Sequence, residues 1–255
     1  TMTFDPSLIA QLKNVHTYAV TPFRESNLLD VDTEALGENI DFLIEQGVQV
    51  VAVGGGTGEI ETLSLDELER VAATVLKVAG ERALVITCLP GNLREAVDLA
   101  VRYERLGSRI MLAMPPLIRG RIPADLKGVA EYFAELAKAT RVPLMPYNTQ
   151  GWPAEFLVEL AANESIIGVK DPCQAPHEFF RAIKLLGDRF VWIGNKKHDP
   201  GVAHLRYQMG MQGFTSGQSN FWPQPELAIH AAAGRRDWEA IVRIQDRIAP
   251  LEQLR

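Results

Sequence analysis

Residues 48–80 read VQVVAVGGGTGEIETLSLDELERVAATVLKVAG, and this stretch contains the unit on which the whole chain is built. Its first six residues form a nearly continuous apolar run rich in valine, which is typical of a buried strand. After a glycine-rich turn, Ser64 stands three residues before Glu67, a spacing that predicts a capped helix start. Apolar residues then recur at helical spacing up to Gly80. The stretch therefore predicts one strand followed by one helix.

The same alternation recurs along the chain and yields eight strand–helix units. The predicted strands are VHTYAV (15–20), VQVVAV (48–53), ALVITCL (83–89), RIMLAM (109–114), VPLMPY (142–147), IIGVK (166–170), FVWIG (190–194) and MQGFTS (211–216). Such strands indicate a parallel sheet, and eight units predict an α/β protein with a closed (β/α)8 TIM barrel; a doubly wound open sheet is the alternative. We expect residues 1–234 to form the barrel and residues 235–255 to begin a C-terminal helical extension.

Composition and charge argue against several classes of protein. The chain has 26 basic and 32 acidic residues, so no basic surface for nucleic acid is indicated. No apolar run approaches the roughly 20 residues that span a bilayer, and the N-terminus lacks the order of a signal peptide. The two cysteines, Cys88 and Cys173, are too few for a disulfide framework, and the five histidines lack metal-ligand spacing. We expect a cytoplasmic protein that uses no metal and binds neither nucleic acid nor membrane.

Lys170 directly follows an apolar run in the stretch IIGVKDP (166–172). A charged amine is costly to bury, so a lysine at such a position needs a partner or a task. Active sites of (β/α)8 barrels lie at the carboxyl ends of the strands, which is where Lys170 stands. Side chains alternate along a strand, so if Lys170 points into the barrel, Gly168 does so too. The same alternation directs Tyr147, at the end of the preceding strand, towards the amine.

The predicted amine and phenol suggest imine chemistry. An amine in an apolar barrel has a lowered pKa, and its neutral form attacks carbonyl carbons. With a 2-oxo acid it would form an imine, an electron sink that lets the adjacent carbon lose a proton or a bond. A tyrosine hydroxyl could carry protons, and the turn GGGTGE (54–59) offers N–H groups and the Thr57 hydroxyl to a carboxylate. Plainer interpretations stay open: an ion-paired or snorkelling lysine, a core tyrosine and an ordinary turn.

Four short motifs occur in order along the chain: AVTPF (19–23), GGGTGE (54–59), PYN (146–148) and GVKD (168–171). Together they resemble the dihydrodipicolinate synthase and N-acetylneuraminate lyase superfamily, over nearly the whole chain. The resemblance implies that Lys170 forms a Schiff base with a 2-oxo acid, that no cofactor is used, and that Tyr147 relays protons. It also implies that Thr57 binds the substrate carboxylate, and we expect Gly56 and Gly58 of the same turn to bind substrate as well. Dimers or tetramers are a further implication.

The chain departs from the synthases of this superfamily in three places. Gly56 replaces a hydroxyl residue, Pro116 and Leu117 replace a tyrosine pair, and Trp152 replaces an arginine. The glycine that begins GGTGE, the PP loop after strand four, the YN motif and GFT near strand eight are similar to the 5-dehydro-4-deoxyglucarate dehydratase branch, although that branch's YNR reads YNT here. We therefore predict a Schiff-base lyase that dehydrates a 2-keto-3-deoxy sugar acid, with or without decarboxylation. The alternatives are a pyruvate-dependent aldolase and a non-catalytic protein that binds 2-oxo acids.

A substrate with a second carboxylate or several hydroxyls needs further polar groups at the same face of the barrel. Asn148 and Ser216 are the first candidates for substrate binding. Further candidates follow the predicted strands four, seven and eight, namely Arg119, Arg121, Lys196, Lys197, His198 and Gln218. Members of the superfamily continue as additional helices beyond the point where this chain stops. We therefore expect residues 235–255 to be the start of this extension, in a chain that is either naturally short or continues beyond the given sequence.

Overall fold

The computed structural model describes residues 4–116, 125–196 and 200–254, and within these ranges the chain forms a parallel barrel surrounded by helices. Ten strands are described, in chain order: β1 (Val15–Tyr18), β2 (Phe23–Arg24), β3 (Asn27–Val31), β4 (Val50–Val53), β5 (Leu84–Leu89), β6 (Met111–Ala113), β7 (Leu144–Pro146), β8 (Gly168–Lys170), β9 (Val191–Asn195) and β10 (Gly213–Ser216). All except β2 and β3 belong to the barrel.

The helices described in the same ranges follow the strands as the alternation predicts. They are α1 (Pro6–Leu12), α2 (Thr33–Glu45), α3 (Leu65–Ala79), α4 (Leu93–Arg105), α5 (Lys127–Ala139), α6 (Ala154–Leu160), α7 (Pro176–Leu186), α8 (Ala203–Gln208), α9 (Gln224–Gly234) and α10 (Trp238–Gln253). Short 3₁₀ turns follow α7 and β10, at Gly187–Arg189 and Gln218–Asn220. None of the described helices is long and apolar enough to cross a membrane.

The barrel strands pair in the order β7-β6-β5-β4-β1-β10-β9-β8, and every pairing is parallel. The sheet closes between β7 and β8 through the parallel bridges Leu144–Ile166 and Tyr147–Lys170. The N–H of Ile167 also donates to the carbonyl of Leu144 at 3.0 Å. The predicted (β/α)8 barrel is confirmed, and the doubly wound alternative is wrong because an open sheet would leave β7 and β8 unpaired.

Local sequence explains where the helices begin. The hydroxyl of Ser64 accepts from the N–H of Glu67 at 3.3 Å, and the Glu67 carboxylate accepts from the N–H of Ser64 at 2.8 Å. This capping box confirms the predicted start of α3. The side chains of Asp32 and Asn92 cap α2 and α4 in the same manner. Each cap satisfies N–H groups that the helix itself cannot pair.

Side chains of the strands alternate between the barrel interior and the layer of helices. Val51 and Val53 of β4 pack in one apolar cluster with Leu36 and Ile40 of α2. Ala52, between them in sequence, belongs instead to the larger cluster that includes Tyr18 and Cys88. Strands buried on both sides explain the nearly continuous apolar runs in the sequence.

Two described elements were not predicted from the sequence. The helix α1 has Asp5 as its cap and Pro6 in its first turn, and its Leu8 and Leu12 are buried in the main core. Seven residues are too few for a clear helical period, so the apolar pattern does not reveal α1. The antiparallel hairpin of β2 and β3 carries largely exposed side chains, and it lacks the alternation that a half-buried strand would show.

The predicted C-terminal extension is present as α10. Its Ile241 and Ile248 share an apolar cluster with Val15 of β1, Phe214 of β10 and Ile229 of α9. The helix therefore packs directly against the barrel. The domain boundary at residue 234 stays a prediction.

We expect Gly213→Ala to destabilise the barrel. A Cβ at this position would overlap the backbone oxygen of Asn14, and neither backbone can move aside within the β1–β10 pairing. Overpacking of this kind costs about 1–3 kcal/mol in the free energy of unfolding. Gly128→Ala is the matched control, because its Cβ meets open space in α5 and should stabilise the helix by up to about 1 kcal/mol. Urea denaturation measures both; equal midpoints for the two variants would contradict the packing argument.

Candidate active site

A cavity of about 170 Å³ lies at the carboxyl ends of the barrel strands. It is lined by Tyr18, Thr57, Tyr147, Lys170, Asn195, Lys196, Thr215, Ser216 and Gly217. The structure thus brings together five of the predicted site residues, from the ends of five different strands or the loops after them: Thr57, Tyr147, Lys170, Lys196 and Ser216. A larger cavity of about 740 Å³ lies beside the amino ends of the strands, near Gln49 and Leu84. Barrel enzymes work at the carboxyl ends, so the smaller cavity is the candidate active site.

The amine of Lys170 is buried at the mouth of the barrel, with 7% of the side chain exposed. Its Nζ lies 3.7 Å from the ring centroid of Tyr147 and 3.7 Å from that of Tyr18. Burial lowers the pKa of Lys170 to about 7, and the neighbouring Cys88 opposes this only in part. Within the part of the chain that the structure describes, no carboxylate forms an ion pair with Lys170. A large fraction of the amine is therefore neutral, and nucleophilic, near pH 7.

Tyr147 stands beside Lys170 at the end of the adjacent strand, where the two residues form a backbone bridge. Burial, and next the carboxylate of Asp171, raise the pKa of the Tyr147 hydroxyl. The phenol is therefore neutral at physiological pH and able to donate a proton. The amine lies over the face of the ring, so the relay role of the hydroxyl stays a prediction.

Tyr18 lies closest to the amine among the lining residues that were not predicted from the sequence, which also include Asn195, Thr215 and Gly217. It ends β1, its side chain is buried, and it lines the same cavity as Lys170. Burial raises the pKa of its hydroxyl well above the ordinary value, so the phenol is neutral. The one available signal was an aromatic residue at the inward-facing end of the first strand, and core packing explains such a residue equally well.

The turn GGGTGE lies beside the cavity, and its glycines differ in function. Thr57 is exposed and lines the cavity, whereas a Cβ at Gly56 would meet open space. A Cβ at Gly58 would come within 3.1 Å of the carbonyl of Ala19, and the Thr21 hydroxyl donates to the Gly58 carbonyl at 2.8 Å. Gly58 therefore holds the turn against the loop after β1. The binding of a carboxylate by this turn stays a prediction.

Asn148 braces the site from behind the strand. Its Nδ2 donates to Asp171 Oδ2 at 2.6 Å, and its Oδ1 accepts from the N–H of Trp152 at 2.9 Å. The carboxylate of Asp171 also accepts from the N–H of Cys173 at 2.6 Å, and burial raises the pKa of Asp171 to about 6. Asn148 is 2% exposed and does not line the cavity. This geometry favours a bracing role over the substrate contact that we expected from the sequence.

The wall of the cavity formed by the ends of β9 and β10 is polar. Lys196 is buried, and its Nζ lies 3.1 Å from Glu226 Oε1 and 2.5 Å from Glu252 Oε1. The Ser216 hydroxyl accepts from the N–H of Ser219 at 3.2 Å. Gln218 is buried, and its amide has no hydrogen-bond partner among the described residues.

The remaining candidates cannot be placed. Arg119, Arg121, Lys197, His198 and Leu117 lie outside the described residues. Within residues 4–116, 125–196 and 200–254, no group of three histidine, cysteine or acidic side chains is positioned to hold a metal ion.

We expect Lys170→Met to stabilise the protein at pH 7. The folded state lowers the pKa of this amine, so between about pH 7 and 10 the unfolded state binds more protons and stability rises with pH. Removing the amine should therefore raise the free energy of unfolding by up to about 4 kcal/mol at pH 7 and by less than about 1 kcal/mol at pH 10. Urea denaturation at both pH values measures this. Lys184→Met, at an exposed position of α7, is the control. Equal changes in the free energy of unfolding for the two variants would contradict the burial of the Lys170 amine.

Comparison with known proteins agrees with this geometry. The sequence matches the model of the Dihydrodipicolinate synthetase family over residues 11–255. A 4-hydroxy-tetrahydrodipicolinate synthase of Bartonella quintana (strain Toulouse) is 28% identical over 249 residues, which cover 95% of this chain and 82% of the relative. A protein named a probable 5-dehydro-4-deoxyglucarate dehydratase, from Bacillus subtilis (strain 168), is 24% identical over 241 residues, covering 93% and 77%.

Solved structures show the same fold. A crystal structure of dihydrodipicolinate synthase from Oceanobacillus iheyensis matches with a TM-score of 0.88 at 23% identity, over 98% of this chain and 82% of that chain. The synthase structure from Bacillus clausii matches with a TM-score of 0.87 at 25% identity, over 97% and 83%. The family model covers nearly the whole chain, and the solved structures share its barrel fold. This chain therefore belongs to the dihydrodipicolinate synthetase family and is a lyase of the Schiff-base class.

Proposed function

We propose that the protein forms its Schiff base through Lys170 and dehydrates a 2-keto-3-deoxy sugar acid. The observation that carries the proposal is the position of Nζ, buried at the carboxyl ends of the strands with a pKa lowered to about 7. The cavity of about 170 Å³ is smaller than the roughly 300–1,000 Å³ clefts of drug-sized ligands, which suits a small acid.

The proposed reaction begins with attack of the neutral amine on the C2 carbonyl carbon. The carbonyl oxygen takes up protons and leaves as water, and a cationic iminium remains on the nitrogen. A base then removes a proton from C3, and the electron pair passes into the iminium to give an enamine. The enamine expels the C4 hydroxyl, which leaves with a proton as a second water. Water then attacks C2 of the resulting unsaturated iminium, and the C–N bond breaks to release the dehydrated 2-oxo acid, a proton and the free amine. Each step needs a proton carrier close to C2, C3 or C4.

The residues around Lys170 supply the groups that these steps need. The neutral phenol of Tyr147 is the proposed proton carrier. Thr57 and the neighbouring N–H groups of the turn are the proposed binding site for the C1 carboxylate, since Thr57 lines the cavity. Ser216 is the proposed contact for a substrate hydroxyl. Asn148 holds Asp171 and Trp152, and we propose that it keeps β7 and β8 in register at the site.

Trp152 argues against a synthase that condenses an aldehyde through an arginine-bound carboxylate. The resemblance places a carboxylate-binding arginine at this position. Here the indole is 1% exposed, and its Nε1 donates to Gln150 Oε1 at 2.9 Å. A buried, hydrogen-bonded indole offers no charge to a second carboxylate.

A pyruvate-releasing aldolase is the second candidate, because it uses the same iminium and breaks the C3–C4 bond instead. Similar relatives carry synthase and dehydratase names alike, so the relatives do not separate the two. The homo-oligomer implied by the resemblance is also a proposal. Light scattering of the purified protein would test it.

We expect pyruvate with sodium cyanoborohydride to add one reduced pyruvyl group to Lys170. The rate should rise as the pH increases through about 7, because the neutral amine is the nucleophile. Intact mass and peptide mapping locate the adduct. Lys170→Met should lose it and Lys184→Met should keep it; an adduct that persists in Lys170→Met would refute the assignment.

We expect a panel of keto-deoxy sugar acids to yield a dehydrated product without release of pyruvate. Loss of the C4 hydroxyl leaves the C3–C4 bond intact, so pyruvate appears only if that bond breaks. Coupled measurement of pyruvate and of carbon dioxide, with mass spectrometry of the product, decides between the candidates. Release of pyruvate in amounts equal to the substrate consumed would establish the aldolase.

A further inference from the structure

Two aromatic rings from opposite walls of the barrel enclose the amine of Lys170. Tyr147 follows β7 and Tyr18 ends β1. Three barrel strands separate β1 from β7 on either side, namely β4, β5 and β6 on one side and β8, β9 and β10 on the other. The side chain of Tyr18 therefore reaches across the barrel, and the Nζ of Lys170 lies over both rings at 3.7 Å from each centroid.

The proposed chemistry places a lasting positive charge at this nitrogen. Attack on the C2 carbonyl forms the C–N bond, one proton is taken up in total, and the carbonyl oxygen leaves as water. A neutral amine thereby becomes an iminium cation. No carboxylate of the described residues pairs with Lys170, and bulk water is largely excluded. The charge must be stabilised by other groups.

We propose that Tyr18 is a catalytic residue whose ring face stabilises the iminium cation on the nitrogen of Lys170. The face of an aromatic ring carries partial negative charge, and its attraction for a cation within about 6 Å is strongest where water is excluded. Tyr147 supplies a second face. This inference rests on the proposed Schiff base at Lys170 and adds a residue for which the motifs of the chain gave no role.

The surroundings of Tyr18 hold its ring in place before any substrate binds. A Cβ at Gly55 would lie 3.0 Å from Cδ1 and 3.1 Å from Cε1 of Tyr18, so the absence of a side chain there makes room for the ring. The carbonyl of Tyr18 accepts from Asn220 Nδ2 at 2.8 Å, which fixes the backbone at the end of β1. The ring face thus lies against the nitrogen in the structure without substrate, and the site needs little reorganisation when the charge appears.

The hydroxyl of Tyr18 is the competing explanation for this residue. It is buried and has no hydrogen-bond partner in the described part of the chain, so it too could act on a substrate. The ring and the hydroxyl can be separated by substitution. Tyr18→Phe removes the hydroxyl and keeps the face, whereas Tyr18→Leu removes the face.

The test measures the apparent dissociation constant of the pyruvate iminium. Each variant is incubated with a series of pyruvate concentrations and trapped briefly with cyanoborohydride, and the labelled fraction is read by intact mass. We expect Tyr18→Phe to stay within about twofold of the wild type and Tyr18→Leu to weaken iminium formation roughly 10- to 30-fold. A fluorinated series at position 18, from phenylalanine to its 4-fluoro, 3,5-difluoro and pentafluoro forms, weakens the ring face with little change of shape. Iminium formation should weaken at every step of that series.

The outcomes separate the inference from the proposed function. A wild type that forms no adduct refutes the proposed function, and this inference with it. If the wild type forms the adduct but Tyr18→Phe forms the iminium as weakly as Tyr18→Leu, the role belongs to the hydroxyl. That result overturns this inference and leaves the proposed function intact. A fluorinated series without a trend also overturns it, whatever the leucine variant does. If Tyr18→Leu fails to fold, the fluorinated series still decides the matter.

Discussion

The burial of one amine between two aromatic rings governs the rest of this site. Each unit by which the pKa of Lys170 is lowered corresponds to about 1.4 kcal/mol by which the fold disfavours the charged amine relative to the neutral one. The surrounding structure must be rigid enough to keep the amine buried against this energy. A closed barrel meets the requirement, because the strand that carries the lysine is paired on both sides, with β7 and with β9. An edge strand could turn its last residue outward to water. Closure of the barrel therefore keeps the amine both buried and reactive.

The support for the site extends well beyond its lining. Behind the strands, Asn148 links β7 to the Asp171 carboxylate, and so fixes the backbone on both sides of the lysine. On the polar wall, the carboxylate of Glu252 in α10 pairs with Lys196, and Gln245 of the same helix donates to the Lys196 carbonyl at 3.2 Å. The C-terminal helix thus contacts a residue that lines the cavity. It is part of the structure that shapes the site.

Much of the fold could be predicted because its signals are local. The eight barrel strands lie within the predicted runs to within one or two residues, and α3 begins and ends where the sequence predicts, between Ser64 and Gly80. Parallel strands buried on both faces produce long apolar runs that are hard to miss. The elements that escaped prediction, α1 and the β2–β3 hairpin, are short or exposed and leave no periodic pattern.

Sequence by itself determined the (β/α)8 architecture, the position of Lys170 at a strand end and the nearness of Tyr147, since these follow from alternation within strands and from pairing of neighbours. It also led to the family, through four motifs in order. Only the tertiary structure decided that Asn148 faces Asp171 and that Tyr18 reaches the amine from the far wall. The physical reason is that the pattern of a strand specifies only which face of the sheet a side chain occupies. Contacts across the barrel depend on closure of the sheet, which brings together residues more than 150 positions apart.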